Sequence, residues 1–489
     1  MRTNKLFNCA VFSCMAIAVL LSGACKKDKS IQALNESLTI AKKGSNLKLS
    51  SLPGGKRVFA YFAENDHDYG KWIDSTHTDL ITDICIIGEL YDSQGVLPTT
   101  PSITTFITKA HLKGLRTFIA IGGAYTYGAT LLQPANRPNY IHNLVTYLVS
   151  NNFDGIDLDY EGSQITSNYN DFVVQLSDSL QVHSKLLSMA IASYQGNSIS
   201  TAAYGRVDFL NPMIYDYTHP GSPQSHATLA EFQSDVDFFL TKVPAAKMNA
   251  GIPAYAWTYV NNQPTNQVGF NSAVAVNVNL AFVNHATISA TEQWFYDGHP
   301  VIRKKIAYAL SKNLGGVMFF HLTCDTKDDR TSLLKLISYC FANPNGFNPA
   351  DKYILANTNS GNIISVSGGS LTNGAAVVQG SASPANANMW NINFVSGANF
   401  SILNVNSGKA LDVTGASTAN NAPLAQWPYG SGLNQMYTLS PNDLGNYVIT
   451  SVNSGKAIEI LGSSTAIGAS VVQNPANGSY NQQWVLEKL

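Results

Sequence analysis

Three carboxylates, Asp157, Asp159 and Glu161, alternate with Ile156, Leu158 and Tyr160 in the run Phe153-Asp154-Gly155-Ile156-Asp157-Leu158-Asp159-Tyr160-Glu161. Successive side chains of a strand point to opposite faces, so the three acids share one face and the apolar residues the other. At about 3.3 Å per residue, neighbouring carboxylates stand about 7 Å apart, close enough to repel, and one of them should hold a proton near neutral pH. Acids of unequal ionisation on one face are equipment for general acid–base catalysis. Glu161, nearest the exposed C-terminal end, is the candidate acid, and Asp157, the deepest, is a tuning group. Burying three acids in an apolar strand is costly without a task, which argues against a plain cation-binding or helix-capping strand end.

Composition bounds what can hold such a face. The chain has 489 residues, 45% hydrophobic and 12% charged, with a formal net charge of −1. This describes a soluble globular protein long enough for two or more domains. Its 30 Lys and Arg residues are scattered, so the basic footprint of a nucleic-acid-binding protein is lacking. Short apolar runs at 57–63, 83–88, 115–121, 153–159, 186–192, 207–214, 248–253 and 315–320 predict strands. Amphipathic segments between them, among them Tyr140 to Val149, Tyr169 to Leu180, Leu229 to Val243 and Ile302 to Leu310, predict helices. Eight β/α units in about 290 residues predict an α/β TIM barrel over 53–342, with the site at the strand C-termini.

The acidic run also resembles a family signature. Asp154-Gly155-Ile156-Asp157-Leu158-Asp159-Tyr160-Glu161 matches each fixed position of D-G-x-D-x-D-x-E, the signature of family 18 glycoside hydrolases, the chitinases and endo-β-N-acetylglucosaminidases. Val58-Phe59-Ala60-Tyr61-Phe62 resembles the family's first strand, whose tyrosine lies close to the buried aspartate. Phe118-Ile119-Ala120-Ile121-Gly122-Gly123 is similar to its third-strand S-x-G-G, with Ala120 replacing a serine whose hydroxyl helps hold the signature acids. Met213-Ile214-Tyr215-Asp216 matches M-x-Y-D, whose tyrosine and aspartate contact the substrate's N-acetyl group. Gly251-Ile252-Pro253-Ala254-Tyr255 resembles G-x-P-x-Y, and Gly315-Gly316-Val317-Met318-Phe319-Phe320 resembles G-G-V-M-x-W, with Phe320 in place of the tryptophan under the sugar. About 60 residues separate strands seven and eight. That is short for the α+β insertion that deepens the cleft of some chitinases, so a shallower groove open to branched or internal substrates is expected.

The resemblance implies a substrate-assisted mechanism, an exception to the two-carboxylate scheme. Glu161 would protonate the leaving oxygen while the substrate's acetamido carbonyl attacks the anomeric carbon, with retention. Asp159 would orient the acetamido nitrogen, Asp157 would share the charge, and Tyr215 would donate to the carbonyl oxygen. Asp216, Met213, Tyr61 and Phe320 would line the substrate. No metal or organic cofactor is implied, since no His cluster accompanies the acids. Chitin is the first expected substrate, and N-glycans cut by an endo-β-N-acetylglucosaminidase are the alternative. A non-catalytic lectin, as in members that have lost the glutamate, is disfavoured by the presence of Glu161.

Residues 343–350 read as a turn-rich linker, after which Ser, Gly, Asn and Ala dominate. Ser360-Gly361, Ser407-Gly408 and Ser454-Gly455 recur every 47 residues, as do Trp390, Tyr437 and Trp484. Three copies of one unit predict a threefold all-β domain over 351–489, because a single copy cannot bury its apolar face. Val405-Asn406-Ser407-Gly408-Lys409-Ala410-Leu411-Asp412-Val413 with Asn434-Gln435-Met436-Tyr437, and Asn453-Ser454-Gly455-Lys456-Ala457-Ile458-Glu459 with Asn481-Gln482-Gln483-Trp484, resemble the Q-x-W repeats of ricin-type β-trefoil lectins. That resemblance implies a sugar site at Asp412 with Trp427, a weaker one at Glu459, and none at Ser365 of the first copy. A purely structural trefoil is the alternative.

Residues 1–25 read as an export signal, with Arg2 and Lys5 before an apolar stretch from Cys9 to Leu21 that is too short for an ordinary membrane span. Leu20-Leu21-Ser22-Gly23-Ala24-Cys25 resembles the bacterial lipobox, which implies lipidation of Cys25 and a membrane-anchored protein at the cell surface or in the periplasm. Ordinary cleavage after Ala24 is the alternative. Residues 26–52, rich in Lys, Ser and Asn, read as a tether. Cys85, Cys324 and Cys340 are odd in number and set no disulfide framework. The expectation is a monomer whose partners are an N-acetylglucosamine-containing glycan and, through the lipid, a membrane.

Overall fold

The computed structural model describes residues 52–489 apart from 64–68, 76, 88–90, 124–126 and 382–384. The expected export signal, Cys25 and the expected tether up to residue 51 lie outside the described residues. The chain forms two compact bodies. One comprises the described residues up to Met213 with Phe238–Gly251 and Gly315–Thr323; the other comprises the described residues of Ile214–Asp237, Ile252–Leu314 and Cys324–Leu489.

Before Cys324 the strands are β1 (Arg57–Phe62), β2 (Asp83–Ile86), β3 (Arg116–Gly123), β4 (Gly155–Tyr160), β5 (Leu186–Ile191), β6 (Phe209–Pro212), β7 (Asn249–Pro253), β8 (Tyr255–Val260), β9 (Gln263–Gly269), β10 (His285–Thr287), β11 (Glu292–Phe295) and β12 (Gly316–Phe320). Eight of them lie side by side in the order β6-β5-β4-β3-β2-β1-β12-β7. A parallel bridge between Leu210 and Met248 joins the two ends, which closes the predicted barrel. Each predicted barrel strand is present within two residues at either end. Their apolar runs are buried on both faces, as in Val58 to Phe62, which is why they read as continuous rather than alternating. The helix Ser167–Val182 buries Tyr169, Phe172, Val173, Leu176 and Leu180 at three- and four-residue spacing. The helix Pro101–Leu112 starts with proline, behind Thr100, whose Oγ1 accepts from Ile103 N at 3.3 Å.

Between β7 and β12 the structure departs from the expectation. β8 to β11 form an antiparallel sheet in the order β10-β11-β8-β9, and Phe270–Val276 adds a helix. A compact α+β insertion is therefore present, and the inference of a shallower groove from segment length falls. Tyr255-Ala256-Trp257-Thr258-Tyr259-Val260 is aromatic and β-branched, and Asn261 and Asn262 turn the hairpin at φ 50° and 62°. Two hairpins and a short helix fit into the available length.

The second body also holds the repeat domain, an antiparallel array of short strands from Tyr353–Asn357 to Trp484–Lys488. Its core repeats at the same 47-residue interval: Tyr353, Phe400 and Tyr447 are equivalent, as are Leu355, Ile402 and Ile449, and Trp390, Tyr437 and Trp484. The copies are tied in a ring by buried glutamines. Gln426 accepts from Ser407 Oγ at 2.6 Å and donates to the carbonyls of Ser370 and Thr372 in the preceding copy at 2.7 and 2.9 Å. Gln473 reaches Ser417 and Ala419 in the same way, and Gln379 reaches Ser464 and Ala466 of the last copy. Phe347, in the turn-rich connector, packs its ring 5.7, 5.4 and 6.3 Å from those of Tyr353, Phe400 and Tyr447. The connector thus contributes a core residue at the threefold axis rather than acting only as a spacer.

Candidate active site

β4 places the acids as its alternation predicts. Ile156, Leu158 and Tyr160 are fully buried, and Tyr160 packs its ring 5.3 Å from Tyr169 and 6.1 Å from Phe172 of the helix Ser167–Val182. On the other face burial is graded: Asp157 is 0% exposed, Asp159 half-buried and Glu161, just past the strand, exposed in extended backbone. Asp159 lies opposite Gly122 of β3. There φ is 121°, and a Cβ would come within 2.6 Å of the Asp159 carbonyl, so only glycine admits this approach.

Asp157 is held from three strands. Tyr61 OH donates to its Oδ2 at 2.6 Å, Ser188 Oγ to its Oδ1 at 2.5 Å and Asn211 Nδ2 to the same oxygen at 3.2 Å. Burial pushes the Asp157 carboxyl up, and these three donors oppose the rise. Burial, then the charges of Glu161 and of Asp157, hold Asp159 well above the usual carboxylate range, and its Oδ1 is buried without a hydrogen-bond partner among the described residues. The rise is in the direction expected from the crowding of the row. Phe320 packs its ring 5.6 Å from Tyr61, and Met213, half-buried, continues from β6 with its backbone N on Ile191 O.

Tyr215 and Asp216 belong to the second body, where the insertion sheet supplies their partners. Tyr215 meets Tyr255 edge to face at 6.0 Å. Asp216, at φ 69°, accepts at Oδ1 from Tyr255 OH (2.6 Å), Trp257 Nε1 (2.7 Å) and Gln267 Nε2 (3.0 Å). Its backbone N donates to Nδ1 of the buried His226, whose Nε2 faces Tyr255 O; burial lowers the His226 pKa and keeps the ring neutral. Sequence reasoning missed Ser188, Asn211, Trp257 and Gln267. For the first two a signal existed, a lone polar side chain inside an apolar strand.

In the trefoil, Asp412 is buried and accepts from Asn434 Nδ2 and Gln435 Nε2, both at 2.9 Å and both on Oδ2. Trp427, on the strand paired with that of Asp412, is 49% exposed. In the third copy Asn474 occupies the place of Trp427 and donates to Glu459 Oε1 at 2.7 Å, while Gln482 donates to Oε2 at 2.6 Å. Both Glu459 oxygens are thus engaged inside the protein. Ser365 of the first copy bonds to the carbonyls of Val366 and Ala387.

A closed parallel barrel with a graded row of carboxylates at the end of one strand defines the class, a barrel whose site at the strand C-termini is equipped for acid–base chemistry. The model of the glycosyl hydrolases family 18 matches residues 57–325, and the chain belongs to that family. The ricin-type beta-trefoil lectin domain-like model matches 344–427 and 433–489, so the C-terminal region is a trefoil of the ricin type. Among curated relatives, "Endochitinase 1" of Metarhizium robertsii is 24% identical over 271 residues, 45% of this chain and 64% of that protein. "Class V chitinase" of Arabidopsis thaliana is 23% identical over 281 residues, 46% and 74% of the two chains. The chain spans 33% and 64% of the length of the first two curated relatives it matches. Among solved structures, a GH18 chitinase from the chitin utilization locus of Flavobacterium johnsoniae is 27% identical with a TM-score of 0.53, over 58% of this chain and 94% of that one.

Proposed function

We propose that this protein is a chitinase that cleaves β-1,4 bonds at N-acetylglucosamine with retention, by participation of the substrate's own acetamido group. The observation that carries the reading is the acid row itself: an exposed Glu161, an Asp159 held well above the usual carboxylate range and a buried, hydrogen-bonded Asp157. As substrate binds, the proton favoured on Asp159 passes to Glu161, which gives it to the glycosidic oxygen as the C1–O bond breaks and the acetamido oxygen bonds to C1. Asp159 holds the acetamido N–H as positive charge develops. Water then attacks C1 as its bond to the acetamido oxygen breaks, the carboxylate of Glu161 takes the water's proton, and the starting configuration is restored. The names of the curated relatives favour chitin as substrate. The folded insertion between β7 and β12 removes the length argument that had favoured N-glycans.

Asp412 with Trp427 is the glycan-holding site of the trefoil in this reading, because Asp412 keeps Oδ1 for a sugar hydroxyl and Trp427 offers an open ring. Export and a lipid on Cys25 complete it, supported by the residue pattern of 1–25. The test is Glu161→Gln assayed on chitooligosaccharides beside an N-glycoprotein. A loss of at least about 10²-fold with unchanged melting is expected on chitooligosaccharides, as for a removed general acid. A near wild-type rate overturns the assignment of the acid. Wild-type cleavage of the N-glycoprotein alone overturns chitin as substrate.

A further inference from the structure

Asp157 sits where hydrogen-bond donors must come from the barrel itself. In the strand registers its neighbours are Ala120 on β3 and Ser188 on β5, so one side offers a methyl group and the other a hydroxyl. We propose that Ser188 is a positioning residue for the hydrolysis described above, a reading on which this inference rests: from β5 it supplies the hydroxyl that fixes the Asp157 carboxylate beneath Asp159, with Asn211 as its second support.

Geometry distinguishes Ser188 from a filler of the barrel. Its Oγ lies 2.5 Å from Asp157 Oδ1, whereas Asn211 Nδ2 lies at 3.2 Å from the same atom. Asn211 cannot turn its amide to improve on that. Its Oδ1 accepts from Asn249 Nδ2 at 2.9 Å, and Asn249 Oδ1 accepts from Arg57 Nε at 3.1 Å, so a chain of three side chains from β1, β7 and β6 sets which end of Asn211 faces the acid. Titratable side chains that act electrostatically with Asp157 are Tyr61 on β1, Cys85 on β2, Asp159 on β4 and Tyr169 on the helix Ser167–Val182. None is a cation. A fully buried carboxylate without a cation depends on donors to remain charged and in place. Ser188 makes the shortest of the three bonds and is the one whose strand neighbour on the other side, Ala120, has nothing to replace it.

The experiment measures kcat, KM and the pH profile on a soluble chitooligosaccharide for Ser188→Ala, for Ala120→Ser/Ser188→Ala and for Glu161→Gln. Loss of a hydrogen bond to a charged acceptor predicts a fall in kcat of about tenfold for Ser188→Ala, with KM little changed. The donor stabilises the ionised form, so its removal raises the Asp157 pKa and moves the acid limb of the profile to higher pH. Ala120→Ser in the same background returns the hydroxyl from β3 and restores most of the rate and the position of the limb. Should Ser188→Ala fail to fold, Ser188→Cys, of similar volume but a weak donor, is read for the same shift. Wild-type kcat and acid limb in Ser188→Ala, or a folded double variant no better than the single one, overturns the inference. Failure of the underlying reading is separate, since it shows as activity retained by Glu161→Gln.

Discussion

Replacing Asp159 by Asn separates what this side chain does for the reaction from what it costs the fold. Burial and the charges of Glu161 and Asp157 favour the protonated state of this carboxyl. An amide of the same shape leaves the local charge unchanged in that state. The stability effect follows from the sign of the shift. A carboxyl whose folded pKa is raised binds its proton more tightly in the native than in the unfolded chain, so wild-type stability falls as pH rises from about 4, where unfolded Asp ionises, through the folded pKa. Asn carries no such term. Each unit of displacement corresponds to about 1.4 kcal/mol. Since the side chain is half-buried and partly screened, a gain on the order of 1 kcal/mol is expected for Asp159→Asn at pH 7, vanishing below pH 4. The same variant loses the carboxylate that answers charge on the acetamido nitrogen, so kcat should fall at least about 10²-fold. Urea unfolding of both proteins at a series of pH values, with turnover of a chitooligosaccharide, measures the two effects together. A stability difference that does not grow between pH 4 and pH 7 would refute the placement of the proton on Asp159, and a variant with near wild-type kcat would refute its role.

Three further outcomes are expected. Gln426→Ala leaves the Ser407 hydroxyl and the carbonyls of Ser370 and Thr372 without their partner, and should cost about 2–4 kcal/mol in the unfolding of the trefoil; chemical denaturation followed by Trp fluorescence checks it, and Gln379→Ala and Gln473→Ala should behave alike. Asp412→Ala with Trp427→Ala should weaken retention on insoluble chitin by about tenfold or more while affecting kcat on a short soluble oligosaccharide far less, because stacking and local concentration act on the polymer; equal loss on both substrates would make the trefoil a structural partner only. Cys25→Ser should move the protein from the membrane fraction to the soluble fraction, read by fractionation and immunoblot, since the proposed lipid would provide the apolar area that anchors it.

Periodicity and spacing alone identified the eight barrel strands, the common face of Asp157, Asp159 and Glu161, and the threefold repeat. These are local properties: a strand alternates its side chains every residue, and a repeat buries equivalent positions in every copy. Partners brought together from distant parts of the chain were decided by the tertiary structure. Ser188 and Asn211 lie 31 and 54 residues beyond Asp157, and only the register of β4, β5 and β6 in the closed barrel turns them onto one carboxylate. Ala120 signalled a missing hydroxyl, yet which strand replaced it depended on that register. Length argued against an insertion between β7 and β12, and the hairpins there proved that chain length does not set how tightly strands fold back. In the trefoil Asp412 and Glu459 are equivalent by position, and the sequence ranked Asp412 first because Trp427 accompanies it. Folding separates the two atom by atom: Asn474 and Gln482 occupy both oxygens of Glu459, whereas both donors to Asp412 share one oxygen. Local pattern fixes which side chains share a face, but long-range packing fixes which of their atoms have partners, and chemistry depends on the atoms.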